Sequence, residues 1–169
     1  MVEYRNKCLK MESVVFMNRH AMRQVIVQTL YYVEVGNVSL YEASLGIEDF
    51  LIELKEEAMN MPDVSLSSEL LDEAFELDDF YNRTLSGIHK NSEAIDEVIV
   101  RHLEGWSLNR LNKVDKAIIR LAVYEMMFDD STASSIVINE AIELTKNFTD
   151  VGDKKSASFN NSLLDKIKV

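Results

Sequence analysis

The segment NRHAMRQVIVQTLYY, residues 18–32, places Arg19, His20 and Arg23 in the first turns of what reads as a helix. Arg19 and Arg23 are four residues apart and so share a helix face, with His20 and Gln24 beside them. A helix N-terminus already exposes unpaired N–H groups and the positive end of the backbone dipole. Two guanidinium groups added there, on an exposed first turn, make an anion site suited to phosphate or RNA. The competing reading is a few solvated charges with no ligand. Lys154 and Lys155 lie just before a second helix start, in DKKSAS. If the two starts meet in space, four basic side chains surround one surface.

Other chemistries find no pattern to rest on. The chain has no glycine-rich phosphate loop, no GxGxxG, no CxxC and no HExxH. The residues three before His20, His89 and His102 are Met17, Ser86 and Ile99, so the Glu-x-x-His pairs of di-iron bundles are absent. No catalytic set, metal site or cofactor is therefore expected. The single cysteine, Cys8, excludes an internal disulfide and points to a reducing, cytoplasmic compartment. Glu125, inside RLAVYEMMF, reads as one half of a salt bridge to a basic residue of another helix. Asn139 and Glu140, in VINEAIEL, read as similar polar locks, because buried polar groups come in hydrogen-bonded sets.

Charge is segregated along the chain. Of 169 residues with formal net charge −11, residues 1–31 carry five basic and two acidic residues. Residues 32–100 carry three and seventeen, and residues 101–169 carry ten of each. A chain of this kind can bind nucleic acid at its ends while its middle stays solvated or meets a basic partner. A hydrophobic fraction of 47% supports one sizeable core or two subdomains. No apolar run reaches the ~18 residues of a membrane span, and the N-terminus lacks the apolar core of a signal peptide.

One proline and five glycines leave few helix breakers. Residues 1–17 show no periodicity and read as a loose N-terminal extension to a helical domain spanning 18–169. Asn18 can cap a first helix with apolar Ala21, Met22, Val25, Ile26, Leu30 and Val33, ended by Gly36 and Asn37. A second helix is expected from about Tyr41 to Met59. A third, within residues 67–91, carries Leu70, Leu71, Ala74, Leu77, Tyr81, Leu85 and Ile88 on one stripe. A fourth follows Asn91 and Ser92. A fifth, LNRLNKVDKAIIRLAVYEMMF, is apolar on much of its circumference and so central, with Asn112 and Asp115 spaced as a capping pair. SSIVINEAIELTKNF and SASFNNSLLDKIKV supply the sixth and seventh. The expected fold is all-α, about seven helices in two packed bundles.

Four ordered segments carry a family resemblance: RHAMRQVIVQTLY, GWSLNRLNKVDKAIIRLAVYEM, IVINEAIELTKNF and SFNNSLLDKI. Together they resemble the NusB family of bacterial transcription antitermination factors, over about residues 18–168 and more weakly over 37–75. The resemblance implies a non-enzymatic, all-α protein of two helical bundles. It implies binding of boxA-type single-stranded RNA together with NusE, a small-subunit ribosomal protein, and action on RNA polymerase in ribosomal RNA operons. By the same resemblance, RNA contacts map to Arg19, His20 and Arg23, and to Lys154, Lys155, Ser158 and Phe159. Tyr31 and Asp115 map to positions that face NusE. Ala21 stands where some members have another arginine, Asn160 where an apolar residue is usual, and Ser162 where glycine is usual. Two other classes stay open: a helical domain that binds only protein, and the NusB-like appendage of certain rRNA cytosine methyltransferases. The second needs a cofactor domain and catalytic cysteines that these 169 residues do not contain, and is the disfavoured expectation.

Overall fold

In the computed structural model the described residues are 18–59, 77, 79–149, 152 and 154–168. They form seven α-helices and no strand. The helices are α1 (Arg19–Gly36), α2 (Leu40–Met59), α3 (Asp79–Lys90), α4 (Ser92–His102), α5 (Lys113–Phe128), α6 (Ser134–Phe148) and α7 (Lys155–Ile167). A 3₁₀ turn, Leu108–Arg110, precedes α5. The all-α expectation is met. The expected N-terminal extension and the first part of the expected third helix lie outside the described residues.

Local chemistry sets the helix limits. Asn18 Oδ1 accepts a hydrogen bond from the Ala21 amide at 2.9 Å, which starts α1. Asn37 ends it in the left-handed region at φ 50, a conformation asparagine tolerates better than most residues. At α2, Ser39 and Glu42 form a capping box: the Ser39 amide donates to Glu42 Oε2 at 2.8 Å, and the Glu42 amide donates to Ser39 Oγ at 3.2 Å. Asn112 Oδ1 accepts from the Val114 amide at 2.9 Å, so α5 begins at Lys113 and not at Leu108.

Helix α5 is the axis of the molecule. Ala117, Ile118, Ile119, Leu121, Ala122, Val123 and Tyr124 are all buried, so the helix is surrounded on nearly every side. Helices α1, α2 and α3 gather on one flank and α4, α6 and α7 on the other, and one continuous apolar core joins both groups through α5. Helix α3 approaches α5 closely at Gly87, where a Cβ would collide with the Tyr124 ring. Two pairings fix direction. Arg23 near the start of α1 meets Glu125 near the end of α5, while Glu34 near the end of α1 meets Lys116 near the start of α5. Helix α1 is therefore antiparallel to α5. So is α6, whose C-cap Thr149 bonds Asp115.

Candidate nucleic-acid interface

The start of α1 was expected to show two arginines to solvent, and only one is there. Arg19 is exposed, with its guanidinium 4.2 Å from the Phe80 ring centroid. Arg23 is 4% exposed. It forks onto Glu125, Nε to Oε2 at 2.9 Å and Nη2 to Oε1 at 2.7 Å, and its Nη1 lies 3.6 Å from Glu140 Oε2. The physical reason lies in the helix stripe. Arg23 sits three and four residues before Ile26 and Val27, both buried, so its side faces the core. Burial works against the charged guanidinium, but the bonds and charge of Glu125, with help from Glu140 and Asp129, outweigh it and raise its pKa further. This pair is the inter-helix salt bridge expected of Glu125.

His20 is half-buried and its Nδ1 lies 2.8 Å from Glu140 Oε2. Glu140 thus locks α6 to α1 through two side chains, as expected, while its neighbour Asn139 is exposed. Asp129 lies close enough for Arg19 to act on it. Burial pushes the Asp129 carboxyl up, but two hydrogen bonds from Ser131 and the charges of Arg83 and Arg19 bring it below its ordinary value. Much of the positive charge at this helix start is therefore matched internally, and Arg19 carries what faces water.

The start of α7 is built differently. Lys154 holds the N-cap position at φ 56. Lys154, Lys155 and Ser158 are exposed, and Phe159 is partly buried with its ring 6.4 Å from that of Trp106. The next residue, Asn160, is fully buried. Its Nδ2 donates to Asp115 Oδ1 at 3.1 Å and to Thr145 Oγ1 at 2.9 Å, and Thr149 Oγ1 donates to the same Asp115 oxygen at 2.8 Å. Asp115 is itself only 6% exposed. The expected capping partnership with Asn112 is thus half realised: Asn112 caps, and Asp115 turns inward to hold α6 and α7. Asn160, which the resemblance places where an apolar residue is usual, is one of the residues that receive it. Ser162 is exposed, so no close helix approach depends on its size.

The two basic starts do not converge. Arg23 is paired at Glu125 and Asn160 at Asp115, ten positions apart on α5, which is about 15 Å along the helix at 1.5 Å per residue. They lie toward opposite ends of α5, and the expectation of four basic side chains on one surface is not met. Tyr31, partly buried beside exposed Tyr32 at 6.3 Å between rings, does lie toward the same end as Asp115. Sequence reading missed the network beneath it. Glu34 gathers Lys113 at 2.8 Å, Lys116 at 2.7 Å and Arg120 at 3.1 Å, and Arg120 forks onto Asp96 at 2.8 and 2.7 Å. Burial opposes the Glu34 charge, but the three cations prevail and hold its carboxyl at about 2. The one signal available was a glutamate near the end of an amphipathic helix and three cations on the central one. Among the described residues no group of acidic, histidine or cysteine side chains could hold a metal ion, and no helix is long and apolar enough to cross a membrane.

Comparison with known proteins matches residues 20–168 to the NusB family. The chain belongs to the NusB family. The transcription antitermination protein NusB of Clostridium tetani (strain Massachusetts / E88) is 36% identical over 155 residues, spanning 89% of this chain and 97% of the relative. Among solved structures, T. maritima NusB aligns with a TM-score of 0.63 at 30% identity, covering 89% of each chain. A chain in the crystal structure of antitermination factors NusB and NusE with double-stranded RNA aligns with a TM-score of 0.60 over 99% of this chain and 97% of that one. At 21% identity, that likeness is one of fold. The family match begins at residue 20, one residue into α1, and runs past the end of α7, so His20, Arg23 and the α7 start lie inside it and Arg19 lies one residue before it.

Proposed function

We propose that this chain is a transcription antitermination factor that binds boxA-type single-stranded RNA together with NusE and acts with RNA polymerase on ribosomal RNA operons. The observation that carries the reading is the family match over residues 20–168, with a NusB relative at 36% identity spanning nearly the whole of that relative. The protein works by binding, without catalysis, in the cytoplasm. Exposed Arg19 and partly exposed His20 take phosphates at one end of α5. Lys154, Lys155, Ser158 and Phe159 take RNA at the other. Arg23 acts indirectly, by fixing the α1 start on α5 through Glu125. Tyr31 faces NusE directly, and Asp115 supports that side from within through Asn160 and Thr149.

A second reading, a helical domain that binds only protein, is favoured by the internal matching of His20 and Arg23 by Glu140 and Glu125. One titration separates the two. Labelled boxA RNA is titrated with the protein at several salt concentrations, with and without NusE. RNA affinity that NusE raises and salt lowers supports the first reading. NusE binding that leaves RNA affinity at the level of NusE alone supports the second.

A further inference from the structure

We propose that Trp106 and Arg110, with Phe159, form a base-stacking platform for single-stranded RNA beside the α7 start. The inference rests on the RNA-binding reading and adds two residues to it. Single exposed apolar side chains are ordinary, but this one has a particular setting. Trp106 is 52% exposed, in the loop between α4 and the 3₁₀ turn. Gly105, at φ 72, turns the chain immediately before it, in a conformation that suits glycine. The Arg110 guanidinium lies 5.0 Å from the indole centroid, and the Phe159 ring stands 6.4 Å away, tilted by 57°. Arg110 has no carboxylate partner among the described residues. Nearby Glu104 is paired with Lys166 at 3.0 Å.

An indole, a guanidinium plane and a phenyl ring are the surfaces on which unstacked bases rest. Every base has a π-face, so such a platform holds RNA without reading its sequence. Aromatic and arginine side chains also serve protein docking. RNA is the better fit because exposed Lys154 and Lys155 flank Phe159 on the same helix start, where a phosphate chain would pass.

Trp106 is the only tryptophan in the chain, so it reports on itself. With 5-fluorotryptophan incorporated, its ¹⁹F resonance is followed as boxA RNA is added, with and without unlabelled NusE. The expected result is a ring-current shift on RNA addition, abolished when one particular nucleotide is made abasic. Trp106→Ala weakens RNA binding at least about fivefold, and Trp106→Phe restores most of it. RNA binding with an unmoved resonance and an unaffected Trp106→Ala overturns the platform and leaves the RNA reading standing. A shift with NusE alone and none further with RNA makes this a protein-docking face and also overturns it. Failure of the wild type to bind RNA, even with NusE, overturns both. The wild-type resonance decides the matter even if Trp106→Ala fails to fold.

Discussion

Arg19 and Arg23 stand one helical turn apart and have opposite surroundings. Arg23 is buried against Glu125, so removing its side chain leaves an uncompensated carboxylate inside the protein. Arg23→Ala is expected to lower stability by about 3–5 kcal/mol in urea denaturation. Arg19→Ala loses an exposed charge and a contact with Phe80, and is expected to cost less than about 1 kcal/mol. Equal effects would contradict the burial of Arg23. Asp115 makes the same point. Its carboxylate accepts from Thr149 and Asn160 inside the α5–α6–α7 junction. Asp115→Lys should therefore destabilise the isolated protein as well as any NusE complex, by several kcal/mol, which a thermal melt of the chain alone will test. The four-residue spacing made the shared face of Arg19 and Arg23 legible. Which way that face turned was decided by the buried residues one turn further on. The bridge itself was half legible, since a glutamate inside an apolar stretch announces a basic partner without naming it.

At the scale of elements, the apolar stripes and the few breakers made most helices readable. Helix α6 matches its expected limits, and α1 has both the cap and the ending expected of it. The start of α5 was misplaced by five residues because Asn112 takes the cap, which puts Leu108–Arg110 in a separate 3₁₀ turn. Contacts between helices were the part not readable, and two predictions address them. Gly87→Ala is expected to destabilise by about 1–3 kcal/mol, because the added methyl meets the Tyr124 ring and overpacking outweighs the gain in helix propensity. Gly46→Ala, where nothing lies within 4 Å, is expected to stabilise by about 0.4–1 kcal/mol. Circular dichroism melts compare the two. The Glu34 network joins α1 to α5 and, through Arg120, to α4. Its folded-state carboxyl titrates near 2 against an ordinary 4.5, so the unfolded chain binds its proton first as pH falls. Stability from Glu34 is complete above pH ~5 and is lost as pH falls toward 2, on the order of 3 kcal/mol in all. Glu34→Gln should be less stable than wild type at pH 7, with the gap narrowing below pH ~5 and closing only as pH falls to about 2. A gap that stays constant with pH would show that the charge on Glu34 does not carry the network.

At the scale of the molecule, the two basic helix starts are placed by α5. The antiparallel packing of α1 and α6 on that helix sends the α1 start to one end and the α7 start to the other. No spacing in the sequence encodes that separation, because it depends on which helix lies beside which. The consequence is that a bound strand must run along the molecule to touch both starts, and cannot sit in a single compact anion pocket. The central claim is that boxA-type RNA, bound together with NusE, touches both ends. Ultraviolet crosslinking of that complex, read by mass spectrometry, measures this directly. The account expects crosslinked peptides containing Arg19 and His20 and others containing Lys155 and Phe159, from one RNA-bound complex. RNA bound with crosslinks at only one helix start, or at neither, would contradict it.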